Sequence, residues 1–203
     1  VRINPDIDAH THKYVTTGLY ENKFGISNHE FDKLIEFIQK SEHINFIGLH
    51  FHIGSQITRV DEVFSLECKR VNEIVKYFES KGLTVRNINL GGGLGVDYDD
   101  PDGNPIADFK TWFNAIDRNI IRRADQTVHV EPGRSLVAQC ASLISRVLFV
   151  KSGETKNFLI MDAGMNDLIR PALYGAYHKI ENLSAAQRSF FPTFQAYDIV
   201  GPV

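Results

Sequence analysis

The segment that decides the fold is residues 85–95, which read VRNINLGGGLG. A short alternation of apolar and polar residues, typical of a strand, is followed at once by a run of glycines. Residues 46–55, FIGLHFHIGS, and residues 127–134, TVHVEPGR, show the same pattern, and residues 2–5 read as a further strand end. In parallel α/β folds the chemistry lies just past such strand ends, so we expect the functional residues there.

Helical patterns lie between these strands. Ser27 and Glu30 have the spacing of a capping box, and apolar residues follow them at helical intervals. A second pattern covers residues 60–78 and ends at Gly82, the residue type that helix ends prefer. A third begins at Pro105. Its expected buried side consists of Phe109, Trp112, Phe113, Ile116 and Ile120. The alternation of strands and helices predicts right-handed parallel crossovers.

The pattern changes in the last third of the chain. Residues 143–150, 157–162 and 173–180 read as strands without a long helix between them, which predicts a second, mostly β region. We expect one domain of four strand–helix units at residues 1–137 and a second domain at residues 138–203. Four units are too few for an eight-stranded barrel, which needs roughly 250 residues. The residues alone therefore leave two options, an open doubly wound sheet or half of a barrel.

Composition and charge exclude several classes of protein. The 203 residues carry 22 basic and 25 acidic side chains, so the formal charge is −3 and gives no reason to expect nucleic acid or an anionic membrane as partner. No apolar run approaches the roughly 20 residues needed to cross a bilayer. Cys68 and Cys140 lie far apart, with neither metal-ligand spacing nor a disulfide framework, which favours a reducing, cytoplasmic compartment.

Two pairs of histidines have a spacing that metal sites use. His50 and His52 are two apart on a predicted strand and so face the same side, where such a pair can hold Zn²⁺. His10 and His12 form a second pair in a stretch that reads as a loop. Nothing supplies a third ligand at a fixed spacing. The alternative, two hydrogen-bonded histidines in a polar interior, therefore stays open.

The glycine run and the segment after residue 130 suit a ligand with charges of both signs. Glycines at residues 91–93 let backbone N–H groups crowd around an anion such as phosphate, although an ordinary tight turn uses them too. The run lacks the lysine of a P-loop and the spacing of a dinucleotide fingerprint. Glu131 and Arg134, with Pro132 between them, fit either a surface ion pair or such a ligand.

An arginine and a tyrosine four residues apart, Arg170 and Tyr174, can hold a carboxylate through a forked pair and a hydroxyl, although a structural turn explains them equally. Taken together, the sequence offers an anion cradle, a carboxylate for a ligand cation, a histidine for stacking and an arginine for a second anion. Pyridoxal phosphate with an acidic substrate has these parts.

Several runs resemble the diaminopimelate decarboxylases, a family within the barrel-type pyridoxal-phosphate-dependent decarboxylases. The runs are residues 17–18, 23–26, 48–56, 89–95, 131–134 and 170–175, in family order across nearly the whole chain. The runs shared with decarboxylases of ornithine and arginine are residues 48–56, 89–95 and 131–134, whereas residues 170–175 are more specific. The resemblance implies the second half of a (β/α)₈ TIM barrel followed by the start of a mostly β domain.

The resemblance also implies roles for individual residues. His52, stacked on the pyridine ring, and Glu131, paired with its nitrogen, are the expected catalytic residues. The residues expected to bind the cofactor besides these two are Ser55, Gly91, Gly92, Gly93, Pro132, Gly133 and Arg134. Arg134, Arg170 and Tyr174 are expected to bind substrate, the last two at its far carboxylate. No metal is expected.

The implied reaction converts meso-2,6-diaminopimelate to L-lysine and CO₂, a step of lysine biosynthesis, in a homodimer with shared active sites. The family's Schiff-base lysine and proton-donating cysteine come from segments that this sequence does not include, so we expect these 203 residues alone to be inactive. One alternative is a related decarboxylase acting on arginine, ornithine or a D-amino acid. Two others are a non-catalytic pyridoxal-phosphate-binding module and a metal-dependent hydrolase barrel using His50, His52, His129 and Glu131.

Overall fold

A parallel sheet forms the centre of the first of two compact units, which comprises Val1–Asp97 and Asn104–Cys140. The computed structural model describes residues 1–7, 23–184 and 195–202. The sheet contains, in spatial order, β1 (Gly48–His50), β2 (Asn87–Asn89) and β3 (Thr127–His129). Arg2 forms a parallel bridge with His50 and so places the N-terminal segment beside β1. These are the four predicted strand positions.

Helices alternate with the strands, as the sequence pattern predicts. A 3₁₀ turn at Asn28–Glu30 leads into α1; the helices of this unit are α1 (Phe31–Lys40), α2 (Val60–Ser80), α3 (Phe109–Asn119) and α4 (Arg134–Val137). Helix α2 ends as expected at Gly82, which has a φ of +88° and donates its N–H to the Glu79 carbonyl. Each of the three strands is followed along the chain by a helix, β1 by α2, β2 by α3 and β3 by α4.

The core of this unit is built largely on α2. Its apolar face is buried, and the apolar residues on that face are Val60, Val63, Phe64, Cys68, Val71, Ile74, Val75 and Phe78. Phe64 packs on Trp112 of α3 with their ring centroids 5.5 Å apart, and Phe78 meets Phe31 of α1 edge-on at 5.2 Å. Each neighbouring helix is thus fixed to α2 by an aromatic pair.

One member of this buried face is a carboxylic acid. Glu67 is 1% exposed, and its Oε1 has no hydrogen-bond partner among the described residues. Burial raises the pKa of Glu67 well above its ordinary value, because an unpaired carboxylate in apolar surroundings is costly. Burial therefore favours the protonated, uncharged form of this side chain.

The capping box predicted at Ser27 is not formed, although the helical segment does begin after this residue, and the predicted start of α3 is wrong. Ser27 makes no side-chain cap; only its backbone carbonyl accepts, from Glu30 N–H. Pro105 does not begin α3, because Asp108 caps that helix by accepting from the Thr111 N–H at 3.0 Å.

The predicted buried side of α3 is also only partly correct. Trp112 and Ile116 are buried, but Phe113 is exposed and Phe109 and Ile120 are half-buried. The later start shortens α3, so its two ends contribute less to the core than the sequence pattern predicts.

The second compact unit comprises Tyr98–Gly103 and Ala141–Val203. Its sheet has the order β4 (Val147–Ser152), β5 (Asn157–Met161) and β6 (Asp198–Val200), with β5 antiparallel to β4 and parallel to β6. All six residues of β4 are exposed. In neither unit does any helix of the described residues have the length and apolar character to cross a membrane.

The strand predicted at residues 173–180 is wrong. A short helix, α5 (Arg170–Tyr174), occupies its start, and Gly175 ends that helix in the left-handed conformation. Pro171 in the first turn favours the helix, because a proline there loses no hydrogen bond. Arg170 and Tyr174 therefore lie on one face of a helix, one turn apart.

The packing of α2 gives a first prediction. We expect Phe64→Ala to lower the free energy of unfolding by about 3–5 kcal/mol, because it leaves a cavity against Trp112. Leu66, two residues away and 50% exposed, provides the control, and Leu66→Ala should change stability by no more than about 0.5 kcal/mol. Urea unfolding followed by circular dichroism measures both. Equal losses in the two variants would contradict this packing.

Candidate functional site

The segments that follow β1, β2 and β3 stay side by side beyond the strand ends. Phe51 N–H donates to the Asn89 carbonyl at 2.7 Å, Leu90 N–H to the His129 carbonyl at 2.9 Å, and Glu131 N–H to the Gly91 carbonyl at 2.6 Å. Backbone bonds therefore carry the three predicted site segments to the same edge of the sheet.

Glycine is required where these segments approach each other most closely. A Cβ atom at residue 92 would lie 2.0 Å from the Glu131 carbonyl oxygen. Gly93 has a φ of +105°, and a Cβ there would lie 2.5 Å from the Gly54 carbonyl oxygen. Any larger residue at either position would push a neighbouring segment away. The glycine run is thus more than a turn, since it lets three chain segments converge.

The carboxylate of Glu131 is held by Asn89 of β2 and lies near His50 of β1. Asn89 donates from Nδ2 to Glu131 Oε1 at 2.8 Å, and its Oδ1 accepts from the Gly91 N–H at 2.8 Å. His50 Nε2 lies 3.5 Å from Glu131 Oε2, near the carboxylate but without a hydrogen bond to it. The Glu131 side chain is half exposed. The carboxylate is thus oriented by Asn89 yet accessible to a ligand.

Asn89 received no role in the sequence analysis. The signal that points to it is its position, a polar residue of the predicted strand separated from the glycine run by one apolar residue. Its side chain bridges the glycine run and the carboxylate, because an amide donates and accepts at the same time.

His52 is held by the glycine run. Its Nδ1 accepts the Gly92 N–H at 3.3 Å, which requires an unprotonated nitrogen. Burial lowers the pKa of His52, and the positive charges of Arg2 and His50 lower it further, although Glu131 acts in the opposite direction. The imidazole is therefore neutral at neutral pH, with its ring position fixed by the backbone at Gly92.

Ser55 and Arg134 come together although 79 positions separate them in sequence. Ser55 Oγ accepts from Arg134 Nε at 3.3 Å and from Nη2 at 3.0 Å. The hydroxyl keeps its own proton available as a donor, and the guanidinium is positively charged. This arrangement suits an anionic ligand. It therefore favours the ligand-binding alternative for Arg134 over a surface ion pair with Glu131, the other alternative that the sequence left open.

The loop that carries Ser55 is fastened to the glycine run by its neighbour Gln56. The side-chain amide of Gln56 donates to the Val96 carbonyl at 2.6 Å and accepts the Val96 N–H at 3.2 Å. Gln56 has a φ of 61°, which is uncommon for a residue other than glycine. The next residue, Ile57, donates to the Gly93 carbonyl at 2.9 Å. The contacts of Gln56 and Ile57, the two residues that follow Ser55, therefore fix the position of Ser55.

The remaining predicted residues are placed as follows. Pro132 and Gly133 lie between Glu131 and α4, and a Cβ at Gly133 would meet nothing within 4 Å. Arg170 and Tyr174 are half-buried in the second unit. His10, His12 and residues 17–18 lie outside the described residues. Over the described ranges, no group of three or more His, Cys, Asp or Glu side chains has an arrangement that could hold a metal ion.

The site of the first unit matches the parts of pyridoxal phosphate. The Arg134–Ser55 pair suits a phosphate, the oriented Glu131 carboxylate suits a ring nitrogen that carries a proton, and the neutral His52 ring suits stacking. These three chemical requirements are met along one edge of one sheet.

Comparisons with known proteins show the family to which this chain belongs. The family model described as "Pyridoxal-dependent decarboxylase, pyridoxal binding domain" matches residues 1–138. A diaminopimelate decarboxylase of Bacteroides thetaiotaomicron is 50% identical over 202 residues, which is 100% of this chain and 51% of that protein. The chain spans about half the length of the curated relatives it matches.

Solved structures show the same architecture. Diaminopimelate decarboxylase from Helicobacter pylori, complexed with L-lysine, aligns over 100% of this chain and 48% of its own, with a TM-score of 0.81 and 38% identity. Lysine decarboxylase from Selenomonas ruminantium aligns with a TM-score of 0.75 at 21% identity, which shows the fold alone. The expected fold class, part of a (β/α)₈ barrel followed by a mostly β region, is confirmed.

The two histidines of the site give a second prediction. Burial lowers the pKa of both His50 and His52, so the unfolded chain binds more protons than the folded chain. We expect the free energy of unfolding without ligand to fall as the pH drops below about 6.5, the ordinary pKa of histidine. Urea unfolding between pH 5 and pH 8 measures this fall.

His52→Gln should reduce the fall, because it removes one of the two groups. His43→Gln, at an exposed position, is the matched control for losing an imidazole. A fall of the same size in His52→Gln and in the unaltered protein would show that His52 is not the group responsible.

Proposed function

This chain belongs to the pyridoxal-dependent decarboxylase family, and on that premise we propose that its reaction is the decarboxylation of meso-2,6-diaminopimelate to L-lysine and CO₂. The observation that carries the substrate is the 50% identity, over the full length of this chain, to a protein named diaminopimelate decarboxylase. That the Helicobacter pylori relative was solved with L-lysine supports the same reaction, of which L-lysine is the product.

We propose that the residues of the first unit hold pyridoxal phosphate by its two ends and one face. When bound, this cofactor supplies an electron-withdrawing ring that takes up the electron pair left behind as CO₂ departs. Ser55, Gly93 and Arg134 hold the phosphate end. Glu131 holds a proton on the ring nitrogen, and His52 lies against the ring face.

Gly91 and Gly92 serve this site in another way. Their N–H groups already donate to Asn89 and His52, so we propose that they act by allowing close backbone approach rather than by binding the phosphate. The same contacts couple the glycine run to the two groups that meet the ring, Glu131 through Asn89 and His52 directly. A preorganised carboxylate stabilises a nearby positive charge without reorganising during the reaction.

At the other end of the substrate, we propose that Arg170 and Tyr174 bind the second carboxylate. A guanidinium forms two parallel bonds to a carboxylate, and a tyrosine hydroxyl one turn away adds a third donor. Ornithine and arginine lack a second carboxylate and would leave this arginine unpaired. A homodimer with shared active sites and a cytoplasmic location are part of the same proposal.

A third prediction tests the role of Glu131 in the full-length protein. Glu131→Gln should keep the cofactor, because the phosphate contacts are unchanged, but turnover should fall by about two to four orders of magnitude. Absorbance of the bound cofactor and CO₂ release are the measurements. Glu42→Gln, at an exposed position, is the matched control. Near-normal turnover by Glu131→Gln would contradict the role at the ring nitrogen.

A fourth prediction tests the substrate. The full-length protein should decarboxylate meso-diaminopimelate and be far slower on arginine, ornithine and D-amino acids with one carboxylate. Arg170→Ala should lower kcat/KM for diaminopimelate about 10- to 100-fold, the range expected for losing a hydrogen bond between charged groups. Faster turnover of arginine or ornithine would favour a related decarboxylase, and cofactor binding without any turnover would favour a non-catalytic module.

A further inference from the structure

We propose that Tyr98 and His178 are positioning residues that fix the guanidinium of Arg170 for a substrate carboxylate. This inference rests on the proposed role of Arg170 and adds to it the two side chains that determine its orientation. All three residues belong to the second compact unit and are half-buried.

The first contact is a stack. The guanidinium carbon of Arg170 lies 4.4 Å from the centroid of the Tyr98 ring, within the range of a cation–π interaction. A planar guanidinium in such a stack keeps its N–H groups pointing outward from its edges, where hydrogen bonds form. Tyr98 therefore restricts the tilt of the guanidinium without using any of its donors.

The second contact is a hydrogen bond. Arg170 Nη1 lies 3.0 Å from His178 Nε2, and because a guanidinium only donates, the imidazole accepts and is neutral. Burial lowers the pKa of His178, and the positive charge of Arg170 lowers it further, which agrees with a neutral imidazole. The bond fixes rotation of the guanidinium in its own plane.

The two positioning residues also contact each other. The rings of Tyr98 and His178 meet edge-on, with centroids 5.3 Å apart. The bond to His178 uses Nη1, so it leaves Nε and Nη2, the pair that forms a fork, for a carboxylate. The next residue after His178, Lys179, is paired with both Asp102 and Glu181, so its positive charge does not stand alone beside the imidazole.

A long arginine held in this way loses less conformational freedom when a carboxylate binds. The expected effect on the reaction is confined to substrate binding. Losing either positioning residue should weaken recognition of the second carboxylate, without changing the chemistry at the cofactor. The expected signature is therefore a higher KM for diaminopimelate at nearly constant kcat.

The test uses the full-length protein with its cofactor and steady-state decarboxylation of diaminopimelate. Tyr98→Ala and His178→Ala should each raise KM about 3- to 20-fold, with kcat changed less than about twofold and cofactor absorbance unchanged. Tyr98→Phe keeps the stack and His178→Gln keeps an acceptor, so both should restore KM to within about twofold of the unaltered protein. Tyr177→Ala and His43→Ala, at exposed positions, are the matched controls.

A double variant separates positioning from a direct contact. If His178 acts through Arg170, then Arg170→Ala and the combination with His178→Ala should have the same KM. A further increase in the double variant would overturn the proposal, as would KM values for Tyr98→Ala and His178→Ala no higher than in the controls. Loss of cofactor or of kcat in the alanine variants would also overturn it, since that indicates a merely structural role.

Failure of the proposed function gives a different result. Were Arg170→Ala itself to leave KM and kcat for diaminopimelate unchanged, or the unaltered protein not to turn over diaminopimelate, the role of Arg170 would be wrong and the positioning role would be wrong with it. An effect of Arg170→Ala without an effect of His178→Ala or Tyr98→Ala would reject the positioning role alone.

Discussion

The arrangement of the candidate site in the first unit depends on the close approach of the backbone at Gly92 to the backbone at Glu131. Gly92 and Glu131 are so close that a methyl group at residue 92 would overlap the Glu131 carbonyl oxygen. This approach extends the sheet's hydrogen bonding past the ends of its strands, where Glu131 N–H donates to the Gly91 carbonyl and Phe51 N–H donates to the Asn89 carbonyl. Side chains that follow three strands can then meet at one edge of the sheet. The residues of the candidate site lie together because the backbone segments approach each other so closely.

Two successive N–H groups of the glycine run, those of Gly91 and Gly92, donate to different side chains. One goes to the Asn89 side chain, which holds the carboxylate, and the next goes to His52, which selects the neutral tautomer with its proton on Nε2. A single turn of backbone therefore sets the orientation of one acid and the protonation of one base. The half-exposed carboxylate gains its definite geometry from Asn89 of β2 instead of from burial.

Much of this arrangement is readable in the sequence, because it follows from local patterns. The strands end where glycine or proline follows alternating residues, and α2 follows from a long apolar period stopped by Gly82. The start of α3 could not be read as well, since Pro105 and Asp108 are both good helix starts and only the Thr111 N–H decides between them. Residues 173–180 have the composition of a strand, but Pro171 and Gly175 fix a short helix instead.

The site residues also differ in how readily they can be predicted from the sequence. Glu131, Arg134 and the glycines can be predicted as site residues because they stand where the alternating pattern of a strand ends. Asn89, Tyr98 and His178 are ordinary members of a strand or loop, and their importance comes from their partners. Asn89 meets Glu131 and Tyr98 meets Arg170 across long stretches of sequence, which no local rule supplies. His178 meets Arg170 at a separation of eight residues, across the end of a helix that the sequence did not predict.

The division of the described chain into two compact units has a consequence for how such enzymes diversify. The residues assigned to the cofactor all lie in one unit, and the Arg170 cluster lies entirely in the other. With the roles proposed above, substitutions in α5, Tyr98 or His178 would change which amino acid is accepted, while the cofactor-binding edge of the first unit keeps its geometry. Substrate preference would then evolve through a few mutations in one unit, independently of cofactor binding in the other.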